Sequence, residues 1–192
     1  MVIIMEKLQG YDEAQPITGE YEKLEAGGYI CKIIQAKEET SKKSGKRMLV
    51  LALDIIEGDK KDFFRKRFNE DNRNDKKWPA GAIYRQMLEG NKAAGFLKGL
   101  MKSLEESNDG FKWNWEEEKL KDLKCGAIFG EEEYEKMDGS VGTSTKVKFI
   151  RTVKAIQEGN FKIPEIKKLP KKGEAFDDFI SSVSSSDDEL PF

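Results

Sequence analysis

Four clusters of positive side chains stand out along this chain, and aromatic rings stand beside most of them. Lys42, Lys43, Lys46 and Arg47 form the first cluster. Arg65, Lys66 and Arg67 follow between Phe64 and Phe68, then Arg73, Lys76 and Lys77 lead to Trp78, and Lys146, Lys148 and Arg151 close the series. Cations that track phosphates, interleaved with flat rings on which unstacked bases rest, are what sequence-independent binding of a single nucleic-acid strand requires, each stacked base contributing about 1–3 kcal/mol. A loop lysine is more often simply solvated. Three consecutive basic residues inside an extended segment are a less ordinary composition for a sheet face that is merely wet. Trp78, Trp113 and Trp115 suit covers of a core edge as well as stacking platforms.

Other chemistries find little support. The chain has no histidine, the side chain most used for acid–base catalysis, nucleophile activation and zinc ligation. Cys31 and Cys125 lack a Cys-x-x-Cys partner and read as small apolar core residues rather than a metal knuckle or redox pair. The runs Glu116-Glu117-Glu118 and Glu131-Glu132-Glu133 raise two-metal nuclease chemistry, yet neighbouring side chains on one strand or helix point different ways and do not converge on an ion. No catalytic residue, metal or cofactor is expected. A binding protein, not an enzyme, is the expectation.

The net charge of −2 argues against a polyanionic partner only when it is taken as a single number. Residues 174–192 carry six acids and no Lys or Arg, which leaves 34 basic and 30 acidic residues in the rest of the chain. A positive body and a negative tail are therefore expected. Such a tail mimics a polyanion and would compete for a basic groove when nucleic acid is absent. Its tip, Asp187-Asp188-Glu189-Leu190-Pro191-Phe192, joins charge to an apolar anchor and a terminal carboxylate, a pattern suited to a hydrophobic pocket flanked by Arg or Lys.

Patterning predicts the elements that position these residues. Residues 1–26 mix Gly, Pro and charges without a sustained period, as a lead-in packed on the domain would. Residues 29–37 and 47–57 predict strands, the second with the nearly continuous apolar run of a strand buried on both faces. Residues 62–69 predict a third, with Phe64, Lys66 and Phe68 on one face and Phe63, Arg65 and Arg67 on the other. A short helix is predicted over 82–88 and a longer one over 92–107, whose Phe96, Leu97, Leu100, Met101 and Leu104 form one core-facing stripe. Strands return at 125–130 and 144–156. On the last, Val147, Phe149 and Val153 share one face and Lys146, Lys148 and Ile150 the other.

Three strands, a helical insertion and two strands is the element order of the five-stranded OB-fold barrel, with a strand-rich α+β sandwich as the alternative. The mainly β domain is expected over 27–170 and a flexible acidic tail over 171–192, in which Phe176, Phe179, Ile180 and Val183 could dock one helical turn. The apolar start meets Glu6 and Lys7 before signal-peptide length, and no later run approaches a membrane span, so a soluble intracellular protein is expected.

The tip resembles the Asp-Asp-Asp-Ile-Pro-Phe tip of bacterial single-stranded DNA-binding proteins, which in that family binds repair, recombination and replication enzymes. The stretches Leu24-Glu25-Ala26-Gly27-Gly28-Tyr29, Ser44-Gly45-Lys46-Arg47-Met48-Leu49, Phe64-Arg65-Lys66-Arg67-Phe68-Asn69, Gly130-Glu131-Glu132-Glu133-Tyr134 and Asp138-Gly139-Ser140-Val141-Gly142 are similar to a family of phage and prophage proteins. That family is long catalogued as a domain of unknown function and regarded as single-stranded DNA-binding OB proteins. The resemblance implies single-stranded DNA as partner, a role in replication or recombination in the cytoplasm of a bacterial host, and recruitment of partner proteins through the tip. No membrane association is expected, and a homo-oligomer is possible. A Mg²⁺-dependent strand-processing enzyme and a protein-only adaptor are the rival functions.

Overall fold

Leu49, Leu51, Leu53 and Ile55 alternate with Val50, Ala52 and Asp54 along one strand, and all seven are buried, as the continuous apolar run predicts. That strand, β2 (Arg47–Ile55), lies between β1 (Gly27–Thr40) and β3 (Ile83–Met87); β4 (Lys124–Glu135) flanks β1, and β5 (Val141–Arg151) flanks β4. The result is one antiparallel sheet in the order β3-β2-β1-β4-β5. Helices α1 (Phe63–Glu70), α2 (Ala93–Ser107) and α3 (Val153–Gln157) pack around it. This computed structural model describes residues 22–170 together with Glu6, Lys7, Gln9, Tyr11 and Asp12. The predicted tail, its tip Asp187 to Phe192 and most of the lead-in lie outside the described residues. Among those described, no helix is long and apolar enough to cross a membrane.

Two predicted elements exchange character. The segment predicted as a strand over 62–69 instead forms α1, which buries Phe63 and Phe64 side by side, as neighbours about 100° apart on a helix can be. The segment contains no β-branched residue and is rich in Arg and Lys, which are good helix formers. Asp62, at φ 59°, turns the chain into the helix, and the buried Asp54 carboxylate accepts from Arg65 Nε at 3.2 Å and from the Ile55 N–H at 3.0 Å. Residues 82–88, predicted helical, instead supply β3, whose Ile83 and Tyr84 suit a pleated surface. The strand predicted to reach residue 156 ends at Arg151, where Thr152 caps α3 by accepting the Ala155 N–H at 3.1 Å.

The sheet is not closed, since no hydrogen bonds join β3 to β5. Its edges nonetheless approach. The 3-10 turn Ala80–Ala82 ahead of β3 abuts β5 so closely that a Cβ on Gly81 would stand 2.5 Å from the Thr145 carbonyl oxygen, so only glycine fits. On α2 the predicted stripe holds for Leu100, Met101 and Leu104, which enter the core with Phe129, Phe64 and Ile33. Phe96 departs from it and is 62% exposed. Cys31 and Cys125, distant in sequence, are directly opposed across the β1–β4 pair, free and fully buried. Burial raises the Cys31 thiol well above the ordinary range and pushes Cys125 up to about 12, so both serve as apolar core residues.

Candidate nucleic-acid interface

A break in the register of β5 creates the most suggestive surface. Phe129 faces Val147 while Ile128 faces Phe149, which leaves Lys148 as the extra residue of a β-bulge. Regular alternation would place Phe149 inward with Val147. The bulge instead buries Val147 and Ile150 and leaves Phe149 44% exposed beside Lys148. The predicted grouping of faces is thus corrected: Phe149 joins the lysines, and Ile150 joins the core.

Across from this strand stands β3, whose Tyr84 and Arg85 line a two-lobed cleft between the sheet edges, shared with Lys148. One lobe, of about 350 Å³, takes in Lys146 and Glu132. The other, of about 390 Å³, takes in Phe149, Phe96 and Lys92. The Arg151 guanidinium lies over the Phe149 ring, 5.2 Å from its centroid, a favourable cation–π contact. Arg85, Lys92, Lys146, Lys148 and Arg151 therefore surround exposed aromatic faces, and among the described residues that line the cleft the acids are Glu89 and Glu132. Glu132 accepts Lys146 Nζ on Oε2 at 2.7 Å and Lys148 Nζ on Oε1. The two ammonium groups hold its carboxyl at about 2, well below the usual range.

The other predicted residues are distributed elsewhere. Phe64 is corrected outright: it is buried and stacked on Phe129 with centroids 5.7 Å apart, so no base can reach it. Arg65 is held by Asp54, and Arg67 lies over the Phe63 ring at 5.3 Å, while Lys66 is exposed on α1. Arg73 is bound on both carboxylate oxygens by Asp71, whose carboxyl it lowers to about 2. Trp78 donates its indole N–H to the Leu53 carbonyl at 2.8 Å and packs on Phe68, which makes it a cover of the core edge rather than a platform. Lys76 sits over Phe68 and Lys77 is exposed, in the loop that leads to Ala80 at one end of the cleft. Lys42, Lys43 and Lys46 are exposed in the β1–β2 turn, and Arg47 pairs with Glu38. None of these four lines the cleft between β3 and β5. Trp113 and Trp115, with centroids 6.0 Å apart, line a separate apolar cleft beside α2.

The carboxylate run disperses as its spacing predicts. Glu131 takes Lys23, Glu132 takes the two cleft lysines, and Glu133 accepts the Leu169 N–H. Among the described residues, no group of three or more His, Cys, Asp or Glu side chains is placed to hold a metal.

Residues 10–104 match DUF669, described as a protein of unknown function. The DUF669 match takes in β1, β2, α1 and β3 and runs into α2, stopping before the bulged strand β5. Comparison with curated proteins gives no match. The cleft residues that patterning missed, namely Tyr84, Arg85, Lys92, Phe96 and Phe149, lay in a segment read as helix, in a stripe read as core, or beyond a bulge. Only Ile83-Tyr84 carried a usable signal, a β-branched residue next to an aromatic one.

Proposed function

We propose that the chain binds single-stranded DNA without sequence preference, laying the strand in the cleft between β3 and β5. The observation that carries this is the cleft itself, where the exposed rings of Phe96 and Phe149 stand among five cations. Backbone-tracking charge together with ring faces is the combination that sequence-tolerant strand binding uses. The five-stranded antiparallel order, with α2 between β3 and β4, supports an OB barrel left partly open at β3 and β5. In such barrels the first interstrand loop also contacts the strand, which gives Lys42, Lys43 and Lys46 a place along its path. The role is non-enzymatic and belongs to phage or prophage replication or recombination, with Asp187 to Phe192 recruiting partner enzymes.

The last described residues run along β4. Lys167 bridges to β4 at Glu132, and the Leu169 N–H donates to Glu133. Replacing Lys146 and Lys148 together by alanine should weaken binding to oligo-dT and make the plot of log affinity against log salt shallower, by at most about 1.4, the share of two phosphate contacts on a single strand. Anisotropy titrations across a salt series measure this. An unchanged slope would place the strand elsewhere.

A further inference from the structure

We infer that Glu132 is a built-in stand-in for a DNA phosphate: in the free protein it occupies the subsite formed by Lys146 and Lys148, and strand binding exchanges its carboxylate for a phosphodiester. This inference rests on the cleft being the single-strand site. One carboxylate bridges both lysines through separate oxygens, as a phosphate's paired oxygens would. The bridge lies inside the cleft, since Glu132, Lys146 and Lys148 line the same lobe as Arg85. Glu132 is only 21% exposed at its side chain and Lys148 19%, while Lys146 is 43% exposed, so the Glu132–Lys148 pair is partly withdrawn from water and screened less than a surface pair. The backbone beside Glu132 is also fixed on the side away from β5. The Lys167 N–H donates to the Glu131 carbonyl at 3.0 Å, and the Glu133 N–H donates to the Lys167 carbonyl at 2.9 Å.

When a phosphate takes the lysines, Glu132 is left bare and must gather a cation from solution, which offsets part of the counterion release that drives binding. Removing its charge eliminates that offset. Glu132→Gln, near-isosteric, is expected to bind oligo-dT about tenfold more tightly at low salt, with a salt slope steeper by about 1, the advantage shrinking as salt screens it. Glu131→Gln changes net charge equally but frees only Lys23, which lies outside the cleft, and is expected to shift affinity by less than about twofold. Glu132→Ala, which also frees both lysines, is expected to follow Glu132→Gln.

The experiment titrates fluorescent oligo-dT into the full chain and the three variants across a salt series, with thermal melts alongside. If Glu132→Gln and Glu132→Ala match the parent in affinity and slope while the parent binds, the Glu132 exchange is overturned and the cleft remains the strand site. Equal tightening by Glu131→Gln would overturn it too, by reducing the effect to net charge. If neither parent nor variants bind, the cleft reading and this inference fail together.

Discussion

Alanine at both Phe96 and Phe149 is expected to weaken oligo-dT binding by about 2–4 kcal/mol, roughly 30- to 1000-fold, while the salt slope stays that of the parent. Both rings are largely exposed, at 62% and 44%, so their removal leaves little core to repack and the melting temperature should hardly move. Stacking on a ring does not release counterions, and loss of a ring therefore lowers the binding line without tilting it. Loss of Lys146 and Lys148 lowers the line and tilts it. The two sets of variants, measured in one anisotropy series, separate base stacking from phosphate contact. A tilt in the aromatic variant would mean that the rings act only by positioning Arg151, which lies over Phe149.

Phe64→Ala is expected to remove about 3–5 kcal/mol of folding stability, the usual range for truncating a buried phenylalanine. Phe64 is 2% exposed, packs edge-on against Phe63 at 5.1 Å and stacks on Phe129 at 5.7 Å. Its ring joins α1 to the sheet. Denaturant unfolding measures the loss. At temperatures where the variant remains folded, its affinity for oligo-dT should match the parent. A normal unfolding midpoint combined with weakened DNA binding would instead return Phe64 to the surface role that its basic neighbours suggest in the sequence.

The contrast between Phe64 and Phe149 shows where patterning succeeds and where it stops. The run from Leu49 to Ile55 announces a doubly buried strand because no polar residue interrupts it before Asp54, and the structure agrees. Leu100, Met101 and Leu104 announce a helix face because only a 3.6-residue period brings them together, and α2 follows. Phe63 to Phe68 is ambiguous at the level of pattern, since apolar residues at 63, 64 and 68 fit one helical face as well as two strand faces. Burial of the first two decides for the helix.

The bulge at Lys148 leaves no trace in residue type. It is visible only in how β5 pairs with β4, and it moves Phe149 from the core side of the strand to the cleft. The lysines at 146 and 148 were legible as cations, but not their bridging by Glu132, because the residues are neighbours only across a strand pair. Arg85 was hidden by the helical reading of its segment. A site built between two sheet edges depends on which edges meet, and that is a property of the whole fold.

Titrating fluorescent oligo-dT into the full chain at about 50 and about 200 mM salt reads strand binding and its charge dependence together. With five cations around the cleft and two of them already paired, log affinity should fall against log salt with a slope of about −2 to −3. A duplex of equal length, whose bases cannot reach Phe96 and Phe149, should bind more weakly at both salts. Absence of binding, or affinity that is equal at the two salts and for the two nucleic acids, would contradict the account.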